Sequence, residues 1–69
     1  MKLEKLIDAL DSMINVDMNT KLVFVNCRND TILWQGSVAK FDRKAWLNSD
    51  IDSWGYIVKT NTVKVYVEW

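Results

Sequence analysis

Leu3, Leu6, Ile7, Leu10, Met13 and Ile14 recur at intervals of three and four, while Lys2, Glu4, Lys5, Asp8, Asp11 and Ser12 fill the other side. That is the pattern of an amphipathic helix. It predicts a helix running to about Ile14, stopped by Asn15 and the turn-forming stretch Asp17-Met18-Asn19-Thr20. A helix of this length is marginal alone and has to dock its apolar stripe on another element.

The pattern then changes period. Lys21 to Asn26 and Thr31 to Val38 are rich in β-branched and aromatic residues and are separated by Arg28-Asn29-Asp30, which predicts a hairpin. A two-residue turn at Asn29-Asp30 places Val23, Val25 and Cys27 on one face with Ile32, Trp34 and Gly36. Leu22, Phe24 and Leu33 then share the other face with Asn26, Arg28, Gln35 and Ser37. Two partly apolar faces favour a sheet that curls or is covered on both sides.

Further on, Trp54, Tyr56 and Val58 alternate before Lys59-Thr60-Asn61-Thr62, and Val63, Val65, Val67 and Trp69 alternate after it. An even-numbered turn, centred on Thr60-Asn61, puts both sets on one face. Ile57, Lys64, Tyr66 and Glu68 fall on the other. Residues 39–50 contain Phe41, Ala45, Trp46 and Leu47 at a spacing that suits a helical turn or a short strand equally. The expected architecture is a single α+β domain over residues 1–69. Its N-terminal helix packs on a strongly curled, barrel-like antiparallel sheet of four or five strands.

Composition narrows the chemistry. Four tryptophans, no proline, no histidine and one cysteine occur among 69 residues. A lone Cys27 excludes an intrachain disulfide, and the missing histidine argues against structural zinc. Aromatic packing or self-association is then left to stabilise a core of marginal size. Nine basic and nine acidic residues cancel, which disfavours partners held by bulk charge, such as a nucleic-acid backbone or an anionic membrane. No apolar run is long enough to span a bilayer, no signal-peptide core is evident, and a single thiol suits a reducing compartment, so a cytoplasmic location is expected.

No nucleophile has a base beside it, so no catalytic residue, no cofactor and no enzyme activity are expected. Asp50 and Asp52 have the spacing that opens a calcium loop, but the turn glycine is missing and Asn61 stands where a bidentate Glu is needed. No metal site is assigned. Cys27 reads as a small buried hydrophobe, and Lys40, Arg43 and Lys44, interrupted by Asp42, read as a solvated loop. The alternation places Trp34 and Trp54 in the core. Trp46 and Trp69 are not explained that way and become candidates for contact with a partner, together with Tyr66 and the Phe24 and Leu33 face.

Two resemblances bear on function. Gly36, Val38, Phe41 and Asp42, followed by Val58, Lys59, Asn61 and Val63, give the chain a pattern that resembles the Sm-like family. The resemblance implies an N-terminal helix before a five-stranded bent barrel and an oligomer that binds single-stranded RNA. Asp42, Trp46, Lys59 and Asn61 would be the RNA-facing residues, although Trp46 stands where that family has asparagine and Thr60 where it has glycine. The chain also resembles the very short accessory proteins of phages and prophages of Gram-positive bacteria. The carriers are its Leu3-x-x-Leu6-Ile7-x-x-Leu10 helix, Trp34-Gln35-Gly36, and the Val63 to Glu68 alternation ending in an acid. This second likeness implies a non-enzymatic accessory protein or inhibitor that self-associates and binds a host protein by protein–protein contacts.

Overall fold

The leucine stripe forms helix α1, Leu3–Asp11, and buries Leu3, Leu6 and Leu10. The computed structural model describes all 69 residues. The helix stops three residues earlier than the periodicity predicts. Ser12 closes it in right-handed helical geometry, Met13 N donates to Leu10 O in a last tight turn, and Ile14 is left 98% exposed. No side chain caps the start of α1. Its entry is held from outside: Ile51 N donates to Met1 O at 2.7 Å, and Lys2 Nζ pairs with Asp50 Oδ1 at 2.7 Å.

Four strands follow: β1 Lys21–Asn26, β2 Ile32–Ser37, β3 Asp50–Ile57 and β4 Thr62–Glu68. They lie in the order β2-β1-β4-β3, with both hairpins antiparallel and the two central strands, β1 and β4, parallel. The sheet is therefore mixed, open and four-stranded. The expected curled antiparallel barrel does not form, because β2 and β3 end up at opposite edges and never pair.

The register of the first hairpin corrects the predicted one by a single residue. Phe24 pairs with Trp34 and Leu22 with Gly36, so Phe24 and Leu22 face the core instead of sharing the outer face. The cause is the turn. Asp30 takes a left-handed conformation (φ 59°), its N–H donates to Asn26 O, and the ladder slips between Phe24 and Val25. In a strand, one residue of slip exchanges the two faces.

The second hairpin has the expected parity with a different turn. Trp54 pairs with Val65 and Tyr56 with Val63, around a four-residue connection, 58–61, in which Asn61 is left-handed (φ 49°). The valines face the core as predicted, although Val58 itself leaves the strand and is exposed.

Residues 38–49 form neither the helix nor the strand that the pattern allows. They make two short 3-10 turns, Val38–Lys40 and Arg43–Trp46, and carry the chain from one sheet edge to the other. This crossover lays Phe41 and Trp46 on the face that α1 also covers. Phe24 is the hub: its ring centroid lies 4.8 Å from Trp46, 5.0 Å from Phe41 and 6.3 Å from Trp34. Leu3, Leu6, Leu10, Leu22, Ile51, Val63, Val65 and Val67 complete one continuous core with Phe24 and Trp46. Each such side chain, once buried, stabilises the fold by about 1.5–3 kcal/mol before the entropy of ordering is subtracted.

Candidate protein-binding surface

Because α1 and the crossover both lie on one side of the sheet, its other side has no layer over it. The strand register orders that open face into three rows and, beyond Tyr66, a last pair that sets Glu68 opposite Asp50. One runs Ile32, Val25, Tyr66, Ser53, the next Gln35, Val23, Lys64, Gly55, and the third Ser37, Lys21, Thr62, Ile57. Val23 and Val25 sit on the central strand β1, between β2 and β4, and are buried. Ile32 and Ile57 remain 53% and 44% exposed. Lys64 lies over the Tyr66 ring, 5.2 Å from its centroid, which holds the ammonium and the aromatic together on the surface. These three rows carry two cations, Lys21 and Lys64, and the adjoining Glu68–Asp50 pair adds two carboxylates, of which Asp50 is held by Lys2. The face thus has cations along the Lys21 and Lys64 rows and carboxylates at the end beyond Tyr66.

The structure separates the residues that the sequence groups as partner-binding. Phe24 is 1% exposed and Trp46 8%, so both belong to the core. Leu33, displaced at the irregularity of the first hairpin, packs against that core and is partly buried. Tyr66 stands on the open face. Trp69, 66% exposed, packs against Trp46 with ring centroids 5.3 Å apart and covers it from the solvent side. Of the tryptophans expected inside, Trp34 and Trp54 are only half-buried. Trp46, singled out for contact, is the most enclosed of the four.

The residues suggested by the Sm-like pattern do not converge. Asp42 uses Oδ1 to accept from Lys44 N at 3.0 Å and caps the second 3-10 turn. Trp46 sits beside Trp69, which follows β4, whereas Lys59 and Asn61 precede β4. The seven residues of that strand separate the two pairs by roughly 3.3 Å per residue. Asn61 Oδ1 is already engaged, accepting from Tyr56 Oη at 2.7 Å and from Thr20 Oγ1 at 3.1 Å.

Elsewhere, Asp50 is paired with Lys2, whose ammonium hydrogen bond holds its carboxyl below the usual carboxylate range. No group of three or more Cys, Asp or Glu side chains gathers where a metal could be held. Cys27 is half-buried and lies outside the core cluster, in contrast to the core-facing position expected for it; its N–H donates to Val67 O at 3.0 Å and extends the parallel pairing. Two adjoining clefts of about 280 Å³ each run between α1 and the crossover, sharing Asp11, Met18 and Val38. No helix is long and apolar enough to cross a membrane.

The predicted registers group Val23 and Val25 with Ile32, on the core side, and Ile57 with Lys64 and Tyr66; the parallel pairing of β1 with β4, which joins the two sets on one open face, was not predicted. The signal for Tyr66 was present in the alternation of β4. For Val23 and Val25 it was not, since their neighbours Leu22 and Phe24 are equally apolar. Comparison with protein-family models, with curated proteins and with solved structures gave no match.

Proposed function

We propose that the chain is a small non-enzymatic binding protein, an accessory or inhibitory factor of a phage or mobile element, that docks the open face of its sheet on a host protein. The observation carrying this reading is that Ile32 and Ile57 remain exposed, with Tyr66 partly so, on a sheet face that neither the helix nor the crossover covers. Tyr66 supplies a rigid amphipathic contact of the kind enriched where binding energy concentrates. Lys64, held over the Tyr66 ring, favours a partner that brings a carboxylate to that point. The N-terminal helix serves as scaffold in this reading, and Trp69 seals the core.

Photo-crosslinking in a Gram-positive host tests it. With benzoylphenylalanine at Tyr66 or Ile57, a discrete adduct to one host protein is expected, and none with the same group at Glu4, on the exposed side of α1. The Lys64→Glu change should weaken the adduct. Equal labelling from all three positions, or none from any, overturns the assignment.

A further inference from the structure

The two edges of the sheet are built differently. An edge strand presents unpaired N–H and C=O groups, and proteins guard such edges with charges, prolines, irregular pairing or a covering segment. Edge β3 has several of these. Asp50 and Asp52 lie on it, its ladder is irregular between Ile51 and Ser53, and Met1 and Lys2 pair with its first residues. Edge β2 has almost none. Ile-Leu-Trp-Gln-Gly-Ser contains no charge and no proline, no segment covers it, and its one irregularity lies at the Ile32 end, leaving Trp34 to Ser37 regular.

The phase of the ladder identifies the free groups. Val38 N donates to Thr20 O, and with the register of 22 on 36 and 24 on 34 this makes those the hydrogen-bonded pairs. Residues 35 and 37 therefore turn their backbone N–H and C=O away from β1, toward solvent. The half-buried Trp34 borders the edge on the core side and Ile32 on the open side, so apolar contact flanks the free backbone groups.

We infer that the β2 edge is the contact by which two copies of this chain join, antiparallel and about a two-fold axis, into one eight-stranded sheet. A second copy fits for a reason of charge. An isologous antiparallel contact places the residue at the two-fold against its own copy, so a charge there meets its own sign; an uncharged strand avoids that penalty, and a chain of zero net charge adds no overall repulsion. A two-fold near Gln35 lets each copy of that residue donate to and accept from the other. The inference does not rest on the docking role of the open face, which the dimer leaves accessible at Tyr66 and Ile57.

Sedimentation equilibrium of the full chain from micromolar to millimolar concentration tests it. The wild type should approach twice 8.1 kDa. Gln35→Pro deletes an N–H that β1 does not use, so it should keep the far-UV spectrum of the wild type and sediment as a monomer. Gln35→Lys, which keeps the N–H but opposes like charges, should also be monomeric, and Tyr66→Ala should remain dimeric. A wild type that stays monomeric throughout overturns the inference. So does a dimer that persists in folded Gln35→Pro or, should that variant not fold, in Gln35→Lys.

Discussion

Thr20 Oγ1 donates to Asn61 Oδ1 at 3.1 Å, joining the residue before β1 to the residue before β4. The two strands that follow are parallel, so no tight turn connects them and none can set their register. This pair does. Lys21 N also donates to Asn61 O at 3.0 Å, and the ladder then begins with Lys21 opposite Thr62. Tyr56 Oη, bonded to the same Asn61 oxygen at 2.7 Å, brings β3 into the junction.

Asn61 should accordingly be costly to replace. Asn61→Ala loses an acceptor shared by two hydroxyls and puts a Cβ-bearing residue without local compensation at φ 49°, for a combined cost of about 3 kcal/mol. Asn61→Gly relieves the backbone but not the hydroxyls and should lie between Ala and wild type; Asn61→Asp keeps the acceptor and should be the mildest. Urea unfolding of the three variants gives the order, and equal stability of all three would contradict it.

The tryptophans should divide by burial. Trp46→Ala removes the most enclosed tryptophan, packed on Phe24, and should cost about 3–5 kcal/mol, enough to unfold much of the population. Trp69→Ala uncovers one side of Trp46 and should cost about 1 kcal/mol or less. Circular dichroism of the two variants distinguishes them, and a red shift of the remaining tryptophan emission is expected in the first.

Gly36 is required by the indole that folds back over it. A Cβ built there lies 2.9 Å from Trp34 Cζ2, so Gly36→Ala should cost about 1–3 kcal/mol through overpacking. In a Trp34→Phe background the smaller ring should remove most of that penalty. Thermal unfolding of the double-mutant cycle measures the coupling, and additive effects would mean that the ring moves aside freely.

Asp50 predicts a pH dependence whose sign follows from its lowered pKa. A carboxyl titrating lower in the folded than in the unfolded chain stabilises the fold above the unfolded value of about 3.9, and that contribution is lost as pH falls through the folded value. Wild type should therefore exceed Asp50→Asn near neutral pH, and the difference should vanish in acid. The pair is exposed, so the difference should be small and should shrink with added salt. Melting curves of both proteins against pH, at two salt concentrations, check each point.

Some of this fold was legible in the sequence and some was not, and the division follows the strength of the local pattern. Leu3, Leu6 and Leu10 announced the helix and its buried side. The alternation of Val63, Val65 and Val67 was clear enough to give the correct face for Trp54 and Tyr56, even though the turn is centred one residue earlier than expected and the register is shifted by two. The run Leu22-Val23-Phe24-Val25 is apolar at every position, so nothing within it chose a face. A left-handed Asp30 and a slip beside Val25 made that choice.

The sequence by itself determined an α+β chain with a helical stripe, two hairpins and an excess of aromatic side chains, because periodicity and turn chemistry act over a few neighbouring residues. Tertiary structure alone decided that β1 and β4 are parallel partners, that the sheet stays open, and that Phe24 and Trp46 lie inside while Tyr66, Ile32 and Ile57 remain on an uncovered face. Those outcomes depend on contacts such as that of Thr20 with Asn61, 41 residues apart, whose ends carry no pattern in common until the chain has folded.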